Sequence, residues 1–232
     1  MLKLDLHVHT LYSYDGFTDP KLIVKIVRHR GIDGVAITDH DVFPNINFKD
    51  ENKAIILKGI EISTMDGHLV ALGIDQVIKR GLSAEETIEK IHELSGIAII
   101  PHPNDFFSKS INPLKLSTKP DAIEVINSSF PFFSLEKRIA EKIAEKLSLP
   151  MVGGSDSHIP DTIGDAYTLI DADSCSIDDI LEAIRKGRTH PKGGATSMIK
   201  RVKKVYLGLF RKNLIRIDPL SGSGKKLGLF LL

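Results

Sequence analysis

The sequence is poor in cysteine and has no long apolar run. Its single cysteine, Cys175, cannot form a disulfide within the chain. No apolar stretch approaches the roughly 20 residues that a helix needs to cross a bilayer. The first residues, Met1 to Asp5, begin a strand pattern instead of the long apolar core of a signal peptide. We therefore expect a cytoplasmic protein without a transmembrane segment.

The chain also lacks a strong net charge. Its 31 Lys and Arg residues balance 30 Asp and Glu residues, so the formal net charge is +1. This average gives no sign of a nucleic-acid or membrane partner, although it can hide an uneven distribution. With 42% hydrophobic and 26% charged residues, the composition is typical of a globular protein, and the length allows one large core or two small ones, of which we favour a single domain.

Short apolar runs alternate with helical segments up to about residue 194. The runs predict buried strands at 2–8, 34–38, 55–63, 69–74, 97–100, 122–126 and 150–153. Helical periodicity and start signals predict helices at 21–30, 87–94, 134–147 and 176–186. Strands that alternate with helices favour a parallel sheet, and about seven such units favour a barrel over an open sheet. We therefore predict an α/β barrel in a first domain, 1–194.

The last 38 residues have a different character. Residues 195–232 contain nine Lys or Arg residues and one acid, Asp218, so this segment carries +8 and the remainder −7. Its first half has apolar residues at helical spacing, which predicts a basic amphipathic helix followed by a Gly-Ser-Gly stretch and an apolar end. We predict a separate C-terminal extension, 195–232.

Histidines and carboxylates concentrate directly after the predicted strands. In a barrel of parallel strands the carboxyl ends meet at one rim, so these side chains are expected to lie close together. The residues at this predicted rim are His7, His9, Asp15, Asp39, His40, Glu61, His68, His102, Asn127, Asp156 and His158.

This set has the chemistry of a metal cluster. Residues His7 and His9 alternate on one strand, and so do Asp156 and His158, which points each pair to one side. Imidazole and carboxylate are ligands of zinc, manganese and iron. Nine candidates are too many for one tetrahedral ion, so we expect two or three divalent metal ions sharing a bridging carboxylate. The candidates are His7, His9, Asp15, His40, Glu61, His68, His102, Asp156 and His158.

Four further polar residues are assigned to the surroundings. His29 and His92 lie within predicted helices, and we give neither a role at the rim. His190 follows the last helix and could approach the rim, but we favour a position in a surface loop. Asp5 alternates with His7 and His9, and we expect it to orient a ligand from behind.

The ordered motifs resemble those of the polymerase and histidinol phosphatase (PHP) family. They are Asp5-Leu6-His7-Val8-His9-Thr10, Ser13-Tyr14-Asp15-Gly16, Thr38-Asp39-His40-Asp41, Gly59-Ile60-Glu61-Ile62-Ser63, Pro101-His102-Pro103 and Gly154-Ser155-Asp156-Ser157-His158. The resemblance covers roughly residues 1–194 and not the basic extension. It implies a distorted (β/α)7 TIM-like barrel with a trinuclear metal site at the C-terminal rim.

The resemblance also implies how the ligands are shared. His7, His9, Glu61 and Asp156 would hold one ion. Glu61 would bridge to a second ion, held with His68 and His102. The third ion would be held by Asp15, His40 and His158.

The implied activity is that of a metal-dependent phosphoesterase. A hydroxide held between two ions would attack the phosphorus of a small-molecule phosphate, a nucleotide or a short RNA. No side-chain nucleophile is then required, which agrees with the absence of a Gly-x-Ser-x-Gly motif. By location alone, Asp39 or His158 is predicted to assist proton transfer, and Asn127 to bind substrate.

Other functions remain open from the sequence. The protein could be a metal-stabilised binding or accessory module with little catalytic activity, although its intact ligand set disfavours this. Hydrolysis of a carbon–nitrogen bond lacks its usual carbamate lysine, since Lys58 comes closest and is interpreted as a strand residue near solvent. The basic extension could contact nucleic acid, dock on the acidic barrel or touch an anionic membrane surface.

Overall fold

Nine strands form one mixed sheet that curls into a nearly closed barrel. The computed structural model of the protein describes residues 1–43, 54–103 and 110–214, with side chains up to residue 211. Within these ranges the strands follow the order β7-β6-β5-β4-β3-β2-β1-β8-β9. They are β1 (Leu2–Val8), β2 (Gly34–Ile37), β3 (Ile55–Ser63), β4 (His68–Leu72), β5 (Ile97–Ile100), β6 (Ala122–Asn127), β7 (Met151–Gly154), β8 (Ala166–Ile170) and β9 (Thr189–Gly193).

Five helices accompany the strands in the described ranges. They are α1 (Ile23–Arg30), α2 (Ala84–Glu93), α3 (Phe133–Leu147), α4 (Ile177–Arg185) and α5 (Met198–Leu214). Local signals set their ends, as the sequence predicts. Ser83 and Glu86 form a capping box at the start of α2, and Ser176 caps α4. Gly31 ends α1 with φ 66°, a backbone conformation that favours glycine.

The barrel closes between the first strand and the segment that follows β7. Val8 forms an isolated parallel bridge with Ser157, and the backbone N–H of His9 donates to the Ser157 carbonyl at 2.8 Å. Deeper in the barrel, the Thr168 hydroxyl on β8 accepts from the Gly153 N–H at 2.8 Å and donates to the Gly153 carbonyl at 2.9 Å. These bonds place the end of β7 beside the end of β1.

Apolar side chains fill the barrel and the space beneath its helices. Residues such as Leu4, Leu57, Ile60 and Leu72 are fully buried. Each strand of a buried sheet loses apolar surface on both faces, which explains the near-continuous apolar runs in the sequence. The polar residues that end these runs are therefore confined to the rim.

The predicted α/β barrel is confirmed, and the seven predicted strands are all present. The sheet is nevertheless mixed, because β4 pairs antiparallel with both β3 and β5. Only Thr64 to Gly67 connect β3 to β4, too few residues for the crossover that a parallel pair requires. Strands β8 and β9 were not predicted, and they add an antiparallel pair beside β1.

The chain divides into two compact units, Met1–Thr196 and Ser197–Leu232. The first contains the barrel. The second contains α5, and the predicted Gly-Ser-Gly stretch and apolar end that follow it lie outside the described residues. Among the helices of the described ranges, none is both long and apolar enough to cross a bilayer.

Candidate metal centre

The structure brings all nine predicted ligands to one rim of the barrel. His7 lies on β1, Glu61 on β3 and His68 at the start of β4. The other six follow strand ends: His9 and Asp15 after β1, His40 after β2, His102 after β5, and Asp156 and His158 after β7.

Glu61 lies at the centre of this cluster. Its side chain is 1% exposed. Imidazole nitrogens of five histidines lie 3.1 to 3.5 Å from its two oxygens; the histidines are His7, His9, His40, His68 and His102. His68 and His102 approach Oε1, whereas the other three approach Oε2. Histidines therefore surround both oxygens of the carboxylate for which the resemblance implies a bridging role.

Two further carboxylates face the same histidines from the more open side. Asp156 Oδ1 lies 3.3 Å from His9 Nε2 and 3.4 Å from His158 Nδ1. Asp15 Oδ2 lies 2.9 Å from His158 Nε2 and 3.7 Å from His40 Nε2. These side chains are 19% and 32% exposed, so the cluster meets solvent at Asp156 and Asp15.

Donor atoms converge into three groups, within each of which all atoms lie within 4.8 Å of one another. His7, His9 and Asp156 form one group, which agrees with the first implied ligand set. A second group joins His40, Glu61 and His68, and a third joins His9, His40 and His158. His9 and His40 each belong to two of these three groups.

Several buried nitrogen and oxygen atoms of the cluster, which could bind a metal ion, lack a hydrogen-bond partner. The atoms are His7 Nε2, His9 Nε2, Asp15 Oδ1 and both Glu61 carboxylate oxygens, none of which bonds to any residue that the structure describes. A buried polar atom without a partner costs about 1–3 kcal/mol. Aligned lone pairs of imidazole and carboxylate are what divalent cations bind, so the residues fit a group of such ions.

The electrostatics of the cluster suit cation binding at Glu61 and His9, but they favour a proton on His7 and His102 when no metal is bound. Burial would raise the pKa of Glu61, but the charge of His7 and the contacts of His102 and His68 hold it well below its usual range. Burial lowers the pKa of His9 to about 3, assisted by His158. An ionised Glu61 and a neutral His9 are the protonation states that ligate a metal. Burial also opposes a charge on His102, but Glu61 raises the pKa of His102 to about 9.

Asp39 has a buried setting. Its two oxygens accept hydrogen bonds from the N–H groups and the hydroxyls of both Thr10 and Ser13 at 2.6–3.1 Å. The Ser13 hydroxyl in turn lies 3.1 Å from His9 Nδ1. Four bonds to a carboxylate with no exposed surface favour a role in holding the loop after β1 over the predicted proton transfer.

The side chain of Asn127 is also hydrogen-bonded to neighbouring residues. Its amide N–H group donates to Glu124 Oε2 at 3.0 Å and to Asp156 Oδ2 at 3.3 Å, and its oxygen accepts from the Ser129 N–H at 3.0 Å. This geometry orients Asp156. Contact with a substrate stays a prediction.

Asp5 accepts hydrogen bonds mainly from backbone N–H groups and not from an imidazole ring. Its oxygens accept from the N–H groups of His7, Ser155 and Gly164 and from the Ser155 hydroxyl. Burial raises the pKa of Asp5 to about 6. It therefore ties β1 to the segment carrying Asp156, and supports ligands from behind through the main chain.

The remaining histidines lie away from the cluster. His29 is exposed in α1, and His92 on α2 pairs with Asp121 at 3.0 Å. His190 is exposed, as predicted, but it lies in strand β9 and pairs with Leu169 instead of lying in a loop. Lys58 is exposed on β3.

Sequence reasoning missed Glu124, which lies behind the ligands. Its Oε1 is 3.0 Å from His7 Nδ1, and its Oε2 accepts from the His102 N–H at 3.1 Å. A carboxylate on the far nitrogen of a metal-binding histidine fixes the ring orientation and tautomer. The available signal was a lone acid inside the apolar run Ala122–Asn127.

We expect Glu124→Gln to weaken metal binding about 10- to 100-fold, the usual cost of losing such a partner. The amide would set a donor against the donors of His7, His102 or Asn127. Calorimetric titration of the metal-free protein with Mn²⁺ measures this change. Glu141→Gln, on the exposed face of α3, is the matched control. Equal affinities in the two variants would remove Glu124 from the site.

A barrel rim that gathers six histidines and three carboxylates is suited to bind divalent metal ions. A family model described as PHP-associated matches residues 135–189. The uncharacterized protein MJ1587 of Methanocaldococcus jannaschii is 36% identical over 141 residues, which cover 55% of this chain and 82% of that protein. The chain belongs to the PHP family.

Solved structures share the fold. A two-domain protein from Bacteroides vulgatus, containing a predicted PHP-like metal-dependent phosphoesterase, matches with a TM-score of 0.66 and 19% identity over 88% of this chain and 69% of its own. The lesion-specific endonuclease PfuEndoQ from Pyrococcus furiosus matches with a TM-score of 0.61 and 18% identity over 80% of this chain and 56% of its own. This chain therefore spans about half of that endonuclease.

Proposed function

We propose that the protein is a metal-dependent hydrolase of phosphate esters. The observation that carries the proposal is the buried Glu61, with five imidazoles on its oxygens and acceptors left without hydrogen bonds. A site of this kind in a PHP barrel, together with neighbours named as a phosphoesterase and an endonuclease, supports hydrolysis at phosphorus. A binding module would not need so complete a set of ligands.

The proposed cofactors are two or three divalent ions, zinc, manganese or iron. His7, His9, Glu61 and Asp156 would hold the first, Glu61 with His68 and His102 the second, and Asp15, His40 and His158 the third. When bound, such ions lower the pKa of water towards neutrality and offset charge that develops on phosphoryl oxygens.

Some residues of the chain hold the ligands on the buried side of the cluster, and the other side of the cluster is open to solvent. Glu124, Asp5 and Asn127 fix the buried side through hydrogen bonds. The exposed edges of Asp15 and Asp156 mark the side from which a substrate would approach. Of the two residues predicted to assist proton transfer, His158 adjoins this side through Asp15 and is kept in the proposal.

The proposed substrates are a phosphorylated small molecule, a nucleotide and a short RNA. PfuEndoQ, by its name, cleaves nucleic acid at lesions, which supports testing nucleic-acid substrates on this chain. The ring of Tyr14, 72% exposed, stacks on His40 at 5.1 Å beside Asp15. An exposed aromatic ring at the open side could also stack against a base.

The test is hydrolysis of a phosphate-ester panel by manganese-loaded protein. The panel contains p-nitrophenyl phosphate, nucleoside bisphosphates and short 5′-phosphorylated RNA. We expect activity in the wild type and in His190→Ala, an exposed histidine outside the cluster, and its loss in Asp156→Ala. If the manganese-loaded wild type hydrolysed none of the substrates, the result would instead favour a metal-stabilised binding module.

A further inference from the structure

Helix α5 presents a continuous apolar stripe. At about 100° per residue, its seven exposed apolar side chains fall within an arc of about 140°. Their exposed fractions run from 42% to 83%, and they are Met198, Ile199, Val202, Val205, Tyr206, Leu209 and Phe210. The rings of Tyr206 and Phe210 lie 4.5 Å apart on this stripe. An exposed apolar patch of this length marks a surface that binds a partner.

Every charged residue of α5 is a cation. Six are present, and no acid lies between Met198 and Leu214; the six are Lys200, Arg201, Lys203, Lys204, Arg211 and Lys212. At about 100° per residue, Lys203 borders the apolar stripe on one side, and Arg201 borders it on the other. Charge therefore flanks the apolar surface along both edges of the helix.

We propose that α5 docks the protein on an anionic lipid bilayer, lying in the plane of the interface. The apolar stripe would enter the boundary between headgroups and acyl chains, which is the position of helices with this pattern. The bordering Lys and Arg side chains would extend their charged ends to lipid phosphates. Tyrosine is enriched at this depth, which suits Tyr206.

Two other partners fit the surface of α5 less completely. A nucleic-acid backbone would use the cations but would leave the exposed apolar stripe without a function. A second copy of α5 would cover the stripe, but it would bring together two helices that each carry six cations and no acid. A membrane with anionic headgroups satisfies both the apolar stripe and its charged borders.

The test is co-sedimentation of the full chain with large vesicles. We expect binding to phosphatidylcholine–phosphatidylglycerol vesicles and at least about 10-fold weaker partitioning to phosphatidylcholine alone. Val202→Ser with Leu209→Ser should abolish binding to both vesicles. Lys203→Gln with Arg201→Gln should reduce only the anionic preference, by about 5-fold for each lost cation.

Met65→Ser with Val77→Ser is the matched control, because it also removes two exposed apolar side chains but lies in the barrel unit. This control should bind like the wild type. Circular dichroism verifies that each variant keeps its fold. Absence of vesicle binding, or equal binding of the Val202 and Leu209 variant, would overturn the proposal. Salt-sensitive RNA binding without vesicle binding would assign the helix to nucleic acid, and a dimer lost in that variant would assign it to a second copy.

Discussion

Glu61→Gln should remove the proposed phosphoesterase activity and lower the number of bound metal ions. The amide keeps the size of the side chain but loses the charge that five imidazoles surround. Loss of a residue behind a metal ligand costs about 10- to 100-fold, so loss of the central ligand should exceed about 100-fold in kcat/KM. Metal content by mass spectrometry of the desalted protein and turnover of the best panel substrate measure the two effects.

The matched control is Glu141→Gln, which makes the same chemical change on the exposed face of α3. It should retain the metal content and activity of the wild type. If Glu61→Gln kept both as well, Glu61 would not bridge the ions. If it kept its metals but lost activity, the defect would lie in the charge of the cluster and not in its assembly.

Chelation should lower the melting temperature of the protein by roughly 8–16 °C. Ions that bind only the folded chain stabilise it by about 4 kcal/mol when their free concentration is 1,000 times Kd. A domain of this size shifts by about 2–4 °C for each kcal/mol. The reason is local: without ions, the acceptors of Glu61, Asp15, His7 and His9 stay buried without hydrogen bonds.

Scanning calorimetry of chelated, manganese-loaded and reloaded protein measures this shift. Reloading should restore the higher melting temperature, and Glu61→Gln should show a smaller difference between its two states. Identical melting of loaded and chelated wild type would mean that the ions do not contribute to folding, whatever their role in catalysis.

Much of the fold was predictable because its signals are local. Buried strands appear as apolar runs, and the caps of α2 and α4 can be read from Ser83 and Ser176. Strands β8 and β9 escaped prediction. β9, Thr189–Gly193, contains proline and glycine, residues that are depleted in strands. Such a strand exists because β8 is there to pair with it.

Placement of the candidate ligands was predictable for a similar reason. Each lies inside or next to an apolar run, close to the end of a strand that reaches the rim, and a barrel brings these strand ends together. Their roles in metal binding remain a prediction. Glu124 could not be assigned, because strict alternation on β6 sends Glu124 and Asn127 to opposite faces. The strand has an irregularity in register between Glu124 and Ile126. This irregularity allows the Asn127 amide to donate a hydrogen bond to the Glu124 carboxylate at 3.0 Å.

The sequence by itself determined the barrel class, the separate character of the basic extension and the set of histidines and carboxylates at strand ends. These follow from periodicity, charge and the order of motifs, which act within a few residues. Only the tertiary structure decided that Glu61 lies among five imidazoles, that Asp39 is saturated by Thr10 and Ser13, and that Glu124 backs His7. Those contacts join residues up to 117 positions apart, and their geometry depends on how the strands pair and bulge.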